Sequence, residues 1–184
     1  MNNILYINST IRDDSRTNKL AKHLLSKLEG NVKELKLEDL NLEPLNKERL
    51  ISRENIIHSG DLSNEMFSFA HEFANADIIV ISAPFYDYSF PALLKIYIEN
   101  ISVSGITFTY TEDGKPHGLC KAKKVYYIST AGSYFISDYS YEYIKRLFSE
   151  LYGINDFELI YAEGLDFSNN PEEILNKVKM KIGE

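Results

Sequence analysis

The chain predicts an α/β protein built on a doubly wound parallel sheet, and three observations carry that expectation. Four short runs, Ile4–Asn8, Asp77–Ala83, Val125–Thr130 and Phe157–Ala162, have the apolar character of buried strands. A fifth, Val32–Leu37, alternates as V-K-E-L-K-L and reads as a half-exposed strand near the sheet edge. Helical stripes lie between these runs, so the strands pair in parallel through right-handed crossovers. The expected result is a five-stranded, three-layer α/β/α sandwich with strand order 2-1-3-4-5.

After the first strand, Leu20, Ala21, Leu24, Leu25 and Leu28 form the apolar stripe of a helix over Thr17–Leu28. Leu40–Gly60 is polar and lacks clear periodicity, so it is expected to run as a long surface excursion. Leu62–Ala76 reads as a helix with Met66, Phe69, Ala70 and Phe73 turned inward. Pro91–Val103 is the next helix, burying Leu94, Ile98 and Ile101. Ile106–Tyr110 is a short strand, and Glu112-Asp113-Gly114 is a signal for its reversal. A helix is expected over Tyr139–Tyr152, with Tyr139, Tyr143 and Leu147 at packing spacing. In the last helix Asn170 is the N-cap and Pro171 the first helical residue.

The sequence has 184 residues, 44% hydrophobic and 26% charged, which suits one globular domain over 1–184. No apolar run approaches the ~20 residues of a membrane span, and the start lacks a basic signal-peptide region. A cytoplasmic protein is expected. A net charge of −7 argues against nucleic acid as a partner, because phosphate neutralisation needs a basic face. Cys120 is the only cysteine, which excludes an intrachain disulfide and reads as a packing residue. The four histidines show no H-x-x-x-H pairing, so no metal site is expected.

Three loops follow strands at one end of the predicted sheet. The first, Ser9 to Asn18, contains no glycine and is neither a Walker loop nor a dinucleotide turn. It offers hydroxyls at Ser9, Ser15 and Thr17 ahead of a helix N-terminus, with Arg12 and Arg16 near the rim. That arrangement suits a dianionic phosphate; it equally suits an ordinary helix capped by Ser15 or Thr17. The second loop, Ser82 to Ser89, carries Phe85, Tyr86 and Tyr88 just past the clearest buried strand. Its aromatics either wrap a flavin ring or seal the sheet edge. The third, Ser129 to Tyr134, places Gly132 among small residues, which permits close approach of a flat ligand or simply makes a turn. One polar, one aromatic and one small loop at the same end favour an anion-plus-ring site.

With those words in place, the chain resembles the FMN-dependent NADH-azoreductases among flavodoxin-like NAD(P)H:quinone reductases. The resemblance rests on Ser9 with Ser15-Arg16-Thr17, Ala83 through Tyr88 with Pro91 to Lys95, Gly105 through Thr111, Thr130 through Ser133, and Ala162-Glu163-Gly164. It implies that Ser9, Ser15, Arg16 and Thr17 hold the FMN phosphate. Pro84, Phe85, Tyr86, Asp87 and Tyr88 then run along the isoalloxazine, and Thr130, Gly132 and Ser133 meet its pyrimidine edge. It further implies a homodimer, NADH or NADPH as donor, and hydride transfer through flavin N5 to a quinone, azo compound or similar flat acceptor. Phe108 and Tyr134 are candidates to line the substrate space. No protein side chain is required as an acid or base, because the flavin carries the chemistry.

The chain departs from the family's pattern at Asp87, which stands where asparagine is usual, and at Ala131 and Ser133 of the third loop. A carboxylate at position 87 disfavours an anionic reduced flavin unless it turns away or is paired. A serine hydrolase is disfavoured by the lack of a G-x-S-x-G elbow. The competing readings are a flavodoxin-type electron carrier, whose docking an acidic surface would suit, and a member that binds another flat ligand or none.

Overall fold

A computed structural model describes residues 1–134 and 139–183. Strands β1 (Asn2–Asn8), β2 (Gly30–Lys36) and β3 (Ile78–Ser82) alternate with helices α1 (Arg16–Leu25), α2 (Lys47–Ser59) and α3 (Ser68–Asn75). Then come α4 (Ala92–Ile101), β4 (Phe108–Tyr110), β5 (Pro116–Gly118), β6 (Lys124–Thr130), α5 (Tyr141–Glu150), β7 (Phe157–Ala162) and α6 (Pro171–Lys181). The main sheet has order β2-β1-β3-β6-β7 with every pairing parallel. This is the predicted 2-1-3-4-5 arrangement, since β4 and β5 form a separate antiparallel ladder. Its reversal falls at Glu112-Asp113-Gly114, where Gly114 takes a φ of 76°.

Helices cover both faces, giving two cores. Leu5, Ile7, Ile79 and Ile81 face Phe73, Leu94, Tyr97 and Phe148 on one side. Ile4, Tyr6 and Val80 meet Leu20, Leu24 and Leu175 on the other. Alternation along buried strands explains this split, because successive side chains leave opposite faces of the pleat. β2 is an edge strand, as expected, but its alternation does not produce alternate burial: residues 31–34 are all exposed, Val32 included, and only Leu35 is buried.

The sequence differs from the structure most clearly between Leu40 and Gly60. That segment is not an aperiodic excursion, for it contains α2, a helix with no buried residue. Its inward side is only partly buried, with Ile56 and Ile57 against the core, so the apolar stripe is too weak to reveal it and its ends carry the clearer signal. The Asn46 side chain accepts from the Arg49 amide, and Gly60 closes the helix at φ 79°. Arg49 donates to Asn100 Oδ1 at 3.2 Å and Arg53 to the Glu99 carbonyl at 3.0 Å, tethering α2 to α4. A Cβ at Gly60 meets no neighbour within 4 Å, so the penalty of Gly60→Ala is backbone strain alone. We expect it to cost about 1–2 kcal/mol and to accelerate amide exchange across α2. Unchanged exchange there would contradict the capping account.

Two further boundaries shift. The expected helix over Leu62–Ala76 is a short 3-10 turn, Glu65–Phe67, followed by α3. The helix expected from Tyr139 begins at Tyr141, and it buries Ile144 and Phe148. Tyr139 is 69% exposed. The buried stripe is therefore offset from the tyrosine series, of which Tyr143 meets Phe90 at 5.6 Å.

Candidate functional site

Parallel pairing fixes where the loops emerge. Asn8 pairs with Ser82, Ser82 with Ile128, and Thr130 with Ala162, so the loops after β1, β3, β6 and β7 leave one edge of the sheet. β1 and β3 are neighbours whose connections run to opposite faces, which opens a crevice at the switch point. A cleft of about 460 Å³ lies there, lined by Arg12, Asp14, Ser15, Arg16, Thr17, Pro84, Phe85, Tyr86, Thr130, Gly132, Ser133, Leu165 and Asp166.

One end of the cleft is the start of α1. Ser15 Oγ accepts from the Asn18 amide and caps the helix. The first-turn amides have no intrahelical acceptor and carry the positive end of the helix dipole. No acidic residue occupies this first turn. Thr17 is buried, and its hydroxyl lies 2.7 Å from that of Thr130, joining the first and third loops. Beneath them, Tyr6 Oη donates to Asn18 Oδ1 at 2.8 Å and lies 2.9 Å from Ser82 Oγ, which donates to Asn8 Oδ1. Burial pushes the Tyr6 phenol well above its ordinary value, so it stays a neutral hydrogen-bonding post. This network holds the loops after β1 and β3 in fixed relation.

Ser9 is buried below the cleft. Its amide and hydroxyl both donate to the Ser82 carbonyl, at 3.0 and 2.7 Å. Arg16 Nη1 donates to Asp166 Oδ1 at 2.7 Å.

The second loop supplies the aromatic wall. Phe85 and Tyr86 are half-buried, and Tyr86 exchanges backbone hydrogen bonds with Ser89 at 2.9 and 2.8 Å. Between them Asp87 and Tyr88 take φ of 50° and 65°, the paired left-handed geometry of a tight hairpin turn. Two consecutive non-glycine residues in that region cost about 1–2 kcal/mol each. Strain of this kind gathers at functional loops. Asp87 and Tyr88 are exposed at the tip, outside the cleft lining, with the Tyr88 ring 6.2 Å from that of Phe85.

The third loop holds Gly132. A Cβ built there would meet Asp166 Oδ2 at 2.0 Å, so the bare face of this glycine admits the carboxylate. Tyr134 is exposed and stacks parallel to Phe167 with centroids 6.1 Å apart. Phe108 lies elsewhere, in the main core and edge-on to Tyr110. Leu165 and Asp166 were not singled out from the sequence. Their signal was positional, since they follow the last parallel strand at the same carboxyl edge.

Cys120 takes no part in the cleft. Its thiol faces the Thr107 carbonyl at 3.4 Å, and burial pushes it up to about 12. Cys120 is half-buried and should therefore react with a thiol-reactive disulfide reagent much more slowly in the native state than after unfolding. Fast native labelling would contradict the burial account. Among the described residues, no group of three His, Cys, Asp or Glu side chains comes together as a metal site. No helix among them is long and apolar enough to cross a membrane.

The model of a family described as having a flavodoxin-like fold matches residues 2–184. An FMN-dependent NADH:quinone oxidoreductase of Coprothermobacter proteolyticus is 35% identical, covering 100% of this chain and 97% of its own. One from Clostridium perfringens is also 35% identical, covering 90% of this chain and 88% of its own. The crystal structure of an FMN-dependent NADH-azoreductase from Bacillus anthracis in complex with FMN superposes with a TM-score of 0.83. It is 26% identical and covers 99% of this chain and 96% of that one.

Proposed function

This chain belongs to the flavodoxin-like family of FMN-dependent NADH:quinone oxidoreductases, and we propose that its switch-point cleft is where FMN lies. The activity is that of an FMN-dependent NAD(P)H oxidoreductase acting on quinones or azo compounds. The observation that carries the placement is one cleft joining the α1 N-terminus to the Phe85–Tyr86 wall. Its residues fit the group. A helix start with no acidic residue in its first turn, beside Ser15, Thr17, Arg12 and Arg16, suits a dianionic phosphate. The volume lies within the roughly 300–1,000 Å³ of small-molecule sites.

When bound, FMN would supply the two-electron redox chemistry that links a nicotinamide donor to a flat acceptor. The protein's part is orientation. Ser15, Arg16 and Thr17 would hold the phosphate, and Ser9 would join them only by rotating its hydroxyl off the Ser82 carbonyl. Pro84, Phe85 and Tyr86 would orient the ring, with the strained turn at Asp87 and Tyr88 supplying backbone beside it. Thr130, Gly132 and Ser133 would meet its pyrimidine side. Tyr134, at the end of the third loop, would be placed to cover an acceptor; Phe108 is placed to support the core.

The exposed Tyr88 and the apolar residues of α2 suit a partner subunit, and we take the working form to be a homodimer. A single domain over 1–184 in the cytoplasm, without nucleic acid or membrane as partner, accords with the acidic composition.

Anaerobic rapid mixing of the FMN-loaded protein with NADH tests this reading. Bleaching of the flavin band, followed by its return on adding a quinone, is the expected result. A flavin that neither nicotinamide reduces, yet cycles readily by single electrons, would mark a carrier.

A further inference from the structure

The phosphate end holds a charge arrangement that cofactor binding alone does not call for. In a chain already at net charge −7, an additional carboxylate, Asp166, lines the same cleft as the α1 N-terminus. Its position is imposed by the backbone. Three successive amides after β7 bond to the third loop, Gly164 to the Ser133 carbonyl, Leu165 to Ala131 and Asp166 to Gly132. The carboxylate then rests where a Cβ of residue 132 would stand, and takes Arg16 at 2.7 Å. Arg12 and Asp14 are the other charged residues lining the cleft. Arg16 is the cleft cation that an ion pair holds, so its availability to an anion depends on Asp166.

Resting on the FMN reading above, we propose that Asp166 is an affinity-setting residue that restrains Arg16 and weakens anchoring of the cofactor's phosphate. An Arg16 guanidinium held by a carboxylate must share or leave that partner to meet a phosphate. The carboxylate itself also repels a dianion across the cleft. Both effects are electrostatic, so they act on the dianionic phosphate rather than on the uncharged ring. The pair is partly exposed, with side-chain accessibilities of 37% and 67%, so screening keeps the effect moderate.

Fluorescence titration with FMN and with riboflavin, which lacks the phosphate, tests this at fixed ionic strength. Asp166→Asn keeps the shape of the side chain and is expected to tighten FMN about tenfold, the scale of one charge-assisted hydrogen bond at a partly exposed site. Riboflavin affinity should not change. In an Arg16→Gln background the same substitution should gain about twofold at most, because no guanidinium remains to be released. Unchanged or weaker FMN binding, an equal shift for riboflavin, or the full gain without Arg16 would each overturn the proposal. A protein that binds neither flavin overturns the cofactor reading and this inference with it. FMN binding that Asp166→Asn does not strengthen overturns this inference alone.

Discussion

Ser15→Asp should leave the fold intact while lowering FMN affinity by about two orders of magnitude, roughly the 1.5–3 kcal/mol of one hydrogen bond to a charged group. Aspartate caps helices as well as serine, so the bond from the Asn18 amide survives and stability should shift by no more than about 0.5 kcal/mol. The new carboxylate nevertheless lies at a helix start that carries no acidic residue, where the phosphate is proposed to sit. The substitution therefore separates two roles that Ser15 combines. If it merely caps α1, FMN and riboflavin titrations will match the wild type. If it caps a phosphate site, FMN binding collapses and riboflavin binding changes little. Thermal unfolding measured alongside shows whether the loss is local.

Phe73→Ala should have the largest effect on stability, about 3–5 kcal/mol. Phe73 is fully buried on α3 and meets Phe148 at 5.2 Å and Tyr152 at 5.3 Å, both edge-on. Those contacts tie α3 to α5 across one face of the sheet. Truncation removes the ring's burial, leaves a cavity, and forfeits about 0.5–1.5 kcal/mol for each edge-to-face pair. Urea unfolding measures the loss directly. A cost below about 1 kcal/mol would mean that the aromatic cluster repacks, which a close-packed interior seldom permits. The cleft should suffer less than the fold, because the Tyr6–Ser82–Asn8 network lies apart from this cluster.

The sheet was legible because burial on two faces leaves continuous apolar runs, as in Ile78–Ser82 and Lys124–Thr130. α2 was not, because a helix with no fully buried residue, only Ile56 and Ile57 packed partway onto the core, has a weak period to read, and its caps at Asn46 and Gly60 are short signals. The start of the Tyr141–Glu150 helix was misplaced because tyrosines at helical spacing imitate a buried stripe.

In the cleft, the polar and aromatic loops were legible as residue types at strand ends. Their geometry was not. The hairpin at Asp87-Tyr88 lacks the glycine or asparagine that normally announces positive φ. Gly132 signalled close approach, but not that the approaching group is Asp166. Pairings such as Arg16 with Asp166, separated by 150 residues, follow from the topology and cannot be read from local pattern.

The placement of the cofactor is most directly tested by a crystal structure of this protein grown with FMN. We predict the phosphate within hydrogen-bond distance of the first-turn amides at Arg16 and Thr17, with the ring alongside Phe85 and Tyr86. FMN found in another cavity, or a cleft left empty by saturating cofactor, would contradict the account.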